Sequence, residues 1–134
     1  MPAREVVALH GKHNKSRDTA RAMSEENVEI VRRLYEAVAR HDTATVLAAY
    51  DPEVEWDLSR SLWGDLTGRA LYRGHEELRT FYREWYGAWA KYDEVVQDLI
   101  DAGEHVIVVA KGHGRGKVSG AEVGWTQYGV WTLR

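Results

Sequence analysis

The chain has 134 residues, 44% of them hydrophobic and 29% charged, with a net charge of −3. That size suits one domain with a single core, and the weak acidic balance supplies no broad basic field for nucleic acid. There is no cysteine, which excludes disulfides and thiolate chemistry.

The longest apolar run, VIVVA at Val106–Ala110, is far too short to span a bilayer. No apolar h-region opens the chain, so a cytoplasmic location and no membrane partner are expected. Six tryptophans and seven tyrosines against one phenylalanine are the unusual feature of the composition. Rings with a polar edge suit a half-wet cavity or an interface, and also simply fill cores.

Residues 1–22 are polar and unpatterned apart from VVAL at Val6–Leu9, and read as a flexible N-terminal arm. The domain proper is expected over residues 23–134. Ser24 is a good N-cap, and Glu25 and Glu26 place negative charge in a first helical turn. Val28, Val31, Leu34, Tyr35 and Val38 keep helical spacing to about Arg40. Asp42 caps a second, short helix carrying Val46, Leu47 and Tyr50, which Pro52 stops.

Val54, Trp56 and Leu58 alternate with Glu55 and Asp57, the period of a strand. The turn-rich segment from Ser59 to Gly74 reads as a long loop with a short edge strand at Ala70–Tyr72. A third helix follows Gly74, with Leu78, Phe81, Tyr82, Trp85 and Trp89 on its apolar face. Three β segments then succeed one another: Glu94–Ile100, Val106 to about Val118, and Ala121–Leu133. The order is helix, helix, strand, helix and an antiparallel meander, which is α+β. VWTLR carries no stop signal, so a final strand is expected to be missing or supplied from elsewhere.

ENVEIVRRLYEAVARHDTATVLAAYDPEVEW, YRGHEELRTFYREW and IDAGEHVIVVAKGHGRGKVSG together resemble the SnoaL-like branch of the nuclear transport factor 2-like superfamily. The resemblance covers roughly Ser24–Arg134. It implies a cone: three N-terminal helices packed on a strongly curved antiparallel sheet that encloses a pocket. It also implies a homodimer through the outer sheet face. The superfamily includes ketosteroid isomerases, polyketide cyclases, epoxide hydrolases and dehydratases, so the fold leaves the function open.

Ketosteroid isomerases need an aspartate base and an oxyanion hole of a tyrosine and a protonated aspartic acid. A gapless overlay puts the tyrosine at Leu34, the base at Leu58 and the protonated acid at Gly129, none of which can perform the chemistry. Strand alternation agrees, since Val54, Trp56 and Leu58 share a face and leave Asp57 on the other. A one-residue bulge would reverse that and make Asp57 a base.

In the last strand Trp125, Gln127 and Trp131 share a face with Gly129. The resemblance implies that this face turns inward, so that with Leu34, Trp56 and Leu58 they form the expected pocket, Gln127 being its polar contact. Trp63, in the loop after the first strand, would cap a ligand. The alternative is that these rings pack together and leave no cavity.

KGHGRGKV places Gly112, Gly114 and Gly116 on one face and Lys111, His113, Arg115 and Lys117 on the other. Alternating strand glycines permit close approach and curvature, and no helix follows as in a phosphate loop. The basic stripe reads as a solvated outer face, with His113 the best titratable candidate if that face turns inward.

The remaining histidines have no metal-ligand spacing, so no metal is expected. The expectation is therefore a small-molecule pocket protein taking an apolar, polyketide- or terpenoid-like ligand, with no cofactor. If catalytic, it would be an isomerase, cyclase or hydrolase working by acid–base chemistry, with Asp57 and His113 the weak candidates. The rival is a non-catalytic binding or dimerisation module.

Overall fold

In a computed structural model, which describes residues 4–9 and 17–133, the longest helix starts earlier than the capping signal predicts. Helix α1 (Arg17–Ala39) runs straight through Ser24. Arg21 and Glu25, one turn apart at 3.9 Å, belong to the same helix. A Ser-Glu-Glu start signature is weak where good helix formers precede it. Val31, Leu34, Tyr35, Ala37 and Val38 bury the inner stripe of α1, as their spacing predicts.

Asp42 caps helix α2 (Thr43–Ala49) by accepting from the Thr45 amide, and Val46 and Leu47 are buried. Strand β2 (Glu55–Asp57) pairs antiparallel with β3 (Leu71–Arg73) in a ladder of its own. Between them lies a helix where a loop is predicted. α3 (Leu62–Thr67) is capped by Ser61 and closed by left-handed Gly68. Both residues are ordinary helix boundary signals, masked in the sequence by surrounding turn formers.

Helix α4 (Gly74–Gly87) buries Leu78, Phe81 and Tyr82. Trp89, predicted on this helix, instead opens strand β4 (Trp89–Ala102). β5 (His105–Gly116) and β6 (Glu122–Leu133) complete the antiparallel meander.

The arm predicted over residues 1–22 falls partly outside the described residues. Where described, it contains the start of α1 and a strand, β1 (Arg4–Leu9), parallel to β6 with Val7 opposite Trp131 and Leu9 opposite Leu133. β1 thus occupies the edge of β6 where a further strand is expected, and the sheet order is β1-β6-β5-β4.

The fold is the α+β cone, with α1 and α4 packed on a sheet that is not closed and α2 packed against those two helices. β4 bends at irregularities around Ala90 and Gln97, and such bulges increase local twist. No helix among the described residues is long and apolar enough to cross a membrane.

Candidate functional site

Three layers of side chains meet inside the cone. α1 contributes Leu34 and Tyr35, α4 contributes Phe81, Tyr82 and Trp85, and the strands contribute Trp56, Tyr92, Glu94, Gln127 and Trp131. Trp63 of α3 completes the wall. The space between these groups is about 430 Å³ including its open mouth, but only about 30 Å³ of it can enclose water centres. That is room for one or two waters. The rings themselves occupy most of the volume that the sequence assigns to a ligand.

Aromatic edge-to-face packing fixes this arrangement. Trp56 lies 5.5 Å from Trp131 and 6.0 Å from Tyr50, both at steep interplanar angles. Trp63 wedges between Trp125 at 4.9 Å and Trp85 at 5.0 Å. Such offsets suit the ring quadrupoles. The polar tips are also used. Trp131 Nε1 donates to Tyr35 Oη at 3.2 Å, and the Tyr50 and Tyr82 hydroxyls share a 2.6 Å hydrogen bond.

Glu94 is the one carboxylate on the cavity wall among the described residues. Tyr92 Oη donates to its Oε2, and Gln127 Nε2 donates to its Oε1 at 3.2 Å. Although the residue keeps some contact with solvent, burial of the carboxyl pushes its pKa above the ordinary value. The Tyr92 hydrogen bond opposes that rise, and the negative charge of Asp93 adds to it. Burial wins, so the proton stays on to higher pH than on an exposed glutamate. The same buried setting, with the Glu94 charge second, raises the Tyr86 hydroxyl to about 12.

The structure places Leu34, Trp56, Trp63, Gln127 and Trp131 on the cavity wall. Leu58 is fully buried but packs in the core beside the cavity, and Trp125 backs Trp63 from behind. The candidate bases lie elsewhere. Asp57 is half-exposed on β2, and its Oδ1 accepts from the Ser59 amide at 2.9 Å, closing a turn. His113 is exposed on the outer sheet face opposite Asp93 and Gly124. Arg115 pairs with Glu122 on that same face at 3.2 Å. None of the three lines the cavity.

Sequence reading missed Glu94 because it begins the strand there. The true strand starts at Trp89, and Tyr92, Glu94 and Val96 then alternate onto the inner face. That spacing of two was the available signal.

The glycine stripe also has a local explanation. A Cβ on Gly112 would overlap the Trp125 indole, and one on Gly114 would come within 2.5 Å of the Trp89 ring. These glycines let the indoles of the flanking strands lie flat on β5. No group of three or more His, Asp or Glu side chains that could hold a metal occurs among the described residues.

The SnoaL-like domain model matches residues 31–134. No match is found among curated proteins. Of the solved structures that are similar, an NTF2-like protein of unknown function from Burkholderia pseudomallei is 27% identical, with a TM-score of 0.71 over 81% of each chain. TerC, co-crystallised with polyporic acid, is 18% identical with a TM-score of 0.66 over 81% of this chain and 82% of its own. An LEH-like epoxide hydrolase from M. tuberculosis is 14% identical with a TM-score of 0.58, covering 81% of this chain and 83% of its own. At these last two identities the likeness concerns the fold alone.

Proposed function

This chain belongs to the SnoaL-like domain family, and from that premise we propose that it admits a small, largely apolar molecule to the aromatic cavity and transfers a proton on it through Glu94. The reading rests on one observation: an inward carboxyl, raised in pKa by burial and oriented by Tyr92 and Gln127, on the wall of an otherwise aromatic cavity. A carboxyl whose pKa burial raises holds its proton more readily than an exposed one, which suits it to general acid–base catalysis. Isomerisation, cyclisation, dehydration and hydrolysis all fit one such group without a cofactor. The solved relatives support small-molecule work in this fold, since one is an epoxide hydrolase and another was crystallised with polyporic acid.

Entry of a ligand displaces Trp63, because the enclosed space otherwise holds only a water or two. Left-handed Gly68 at the end of α3 is the natural pivot for that motion. A thermal-shift screen with small polycyclic ketones, phenols and epoxides tests the reading. At least one compound is expected to raise Tm by several degrees at saturating concentration, and to be converted on incubation. Stabilisation without conversion favours the non-catalytic binding module, and no stabilisation by any compound sinks the pocket.

The outer sheet face favours self-association. Val95, Ile100 and Tyr128 are 55%, 42% and 42% exposed there, beside the basic Lys111 and His113 and the acidic Asp93. A two-fold related copy would cover the apolar residues and set acids against bases. Light scattering is expected to give twice the chain mass at micromolar concentration, and Val95→Glu/Tyr128→Glu a single chain mass. A monomeric parent would refute it.

A further inference from the structure

One residue of the cavity wall carries a buried polar group with no hydrogen-bond partner among the described residues. Among the described residues, the buried indole nitrogens of Trp56, Trp89 and Trp125 have no hydrogen-bond partner. Trp56 is the one of these three that lines the cavity. The contrast with Trp131 is instructive, because that indole donates to Tyr35 Oη.

Trp56 is 5% exposed, and its ring is held by Tyr50, Phe81, Tyr82 and Trp131 at centroid distances of 5.5–6.1 Å. So enclosed, it cannot turn outward to bond water. A buried donor left unmet is costly, and an acceptor brought in by a ligand recovers that cost. An indole nitrogen only donates. Its partner must therefore be an acceptor, which rules against an ammonium group at this position. The surrounding rings favour a flat frame that stacks or meets them edge-on.

Resting on the reading of the cavity as a ligand site, we propose that Trp56 Nε1 is the specificity donor: the site selects flat, apolar molecules bearing a carbonyl oxygen, which accepts a hydrogen bond from Trp56. Glu94 then acts on a ligand whose oxygen is already anchored at Trp56. Trp56 is a binding residue here, and the proton remains the business of Glu94.

The test compares 1-indanone with indane, which has the same two rings and lacks the carbonyl, on the wild type and Trp56→Phe. Affinities are measured by calorimetry at neutral pH. Trp56→Phe is expected to weaken 1-indanone about three- to tenfold more than indane, the size of one net hydrogen bond. Equal weakening of both overturns the donor assignment and leaves the pocket intact. Binding of neither compound to the wild type overturns the pocket reading and this proposal with it.

A spectroscopic readout on the wild type guards against a variant that does not fold. The Trp56 indole ¹H–¹⁵N resonance is expected to move downfield with 1-indanone and not with indane. An indole resonance that responds alike to both refutes the hydrogen bond.

Discussion

Glu94→Gln is expected to lower turnover of any converted compound by about 10²–10⁴-fold, the usual contribution of a positioned acid–base group. Binding should change little, since the amide keeps the shape of the carboxyl and Gln127 can turn its own amide to match. A variant that retains full turnover would remove Glu94 from the chemistry.

Stability gives a second, substrate-free test of the same residue. Burial raises the folded-state pKa of Glu94 above its ordinary 4.5, so the folded protein binds this proton more tightly than the unfolded chain. Above the raised value both states are ionised and the native state bears the full cost of a desolvated charge. As pH falls through the raised value toward 4.5, the folded protein takes up the proton first and the cost disappears. Glu94→Gln should therefore raise Tm at pH 8, with the gain shrinking toward pH 5. A difference that grows as pH falls would contradict the assigned direction.

Gly112→Ala is expected to cost about 1–3 kcal/mol, as overpacking of a filled core does, and to lower Tm by roughly 5–10 °C. The added methyl meets the Trp125 indole, which is hemmed in by other rings. Trp63 stands 4.9 Å from it, Trp89 5.4 Å and Tyr92 6.1 Å. Gly124 is the control on the neighbouring strand, where the nearest atom to an added Cβ is the Gly112 carbonyl oxygen at 3.9 Å. Gly124→Ala should be close to neutral or slightly stabilising. Equal losses at both positions would mean that the glycines serve sheet curvature in general. A loss confined to Gly112 ties the glycine to the indole.

Legibility in the sequence followed the range of the interactions involved. Asp42 announced the start of α2, and Gly74 the start of α4, because capping and left-handed turns are decided within a few residues. Trp56 and Leu58 were legible as buried, and Asp57 as turned away, because strand alternation leaves little choice over so short a segment. The family pattern carried the order of the elements, and with it the cone.

Other features needed the tertiary structure. β4 changes face at an irregularity near Gln97, and simple alternation cannot be carried across such a point. Glu94 faces inward with Tyr92 because the strand extends back to Trp89, which helical spacing had assigned to α4. β1 finds its place only through partners about 125 residues away in the register, Arg4 opposite Tyr128 and Leu9 opposite Leu133.

The size of the cavity was likewise decided late. The sequence set Trp56 and Leu58 on one strand face and Asp57 on the other, since periodicity fixes which side chains share a face, and left open a bulge that would reverse them. Only the packed fold decided that Trp63 packs against Trp85 and Trp125, that Trp125 lies on Gly112, and that the buried carboxyl is Glu94. Those outcomes depend on ring-to-ring fit and on burial by distant elements, which act through space and leave no local period in the chain.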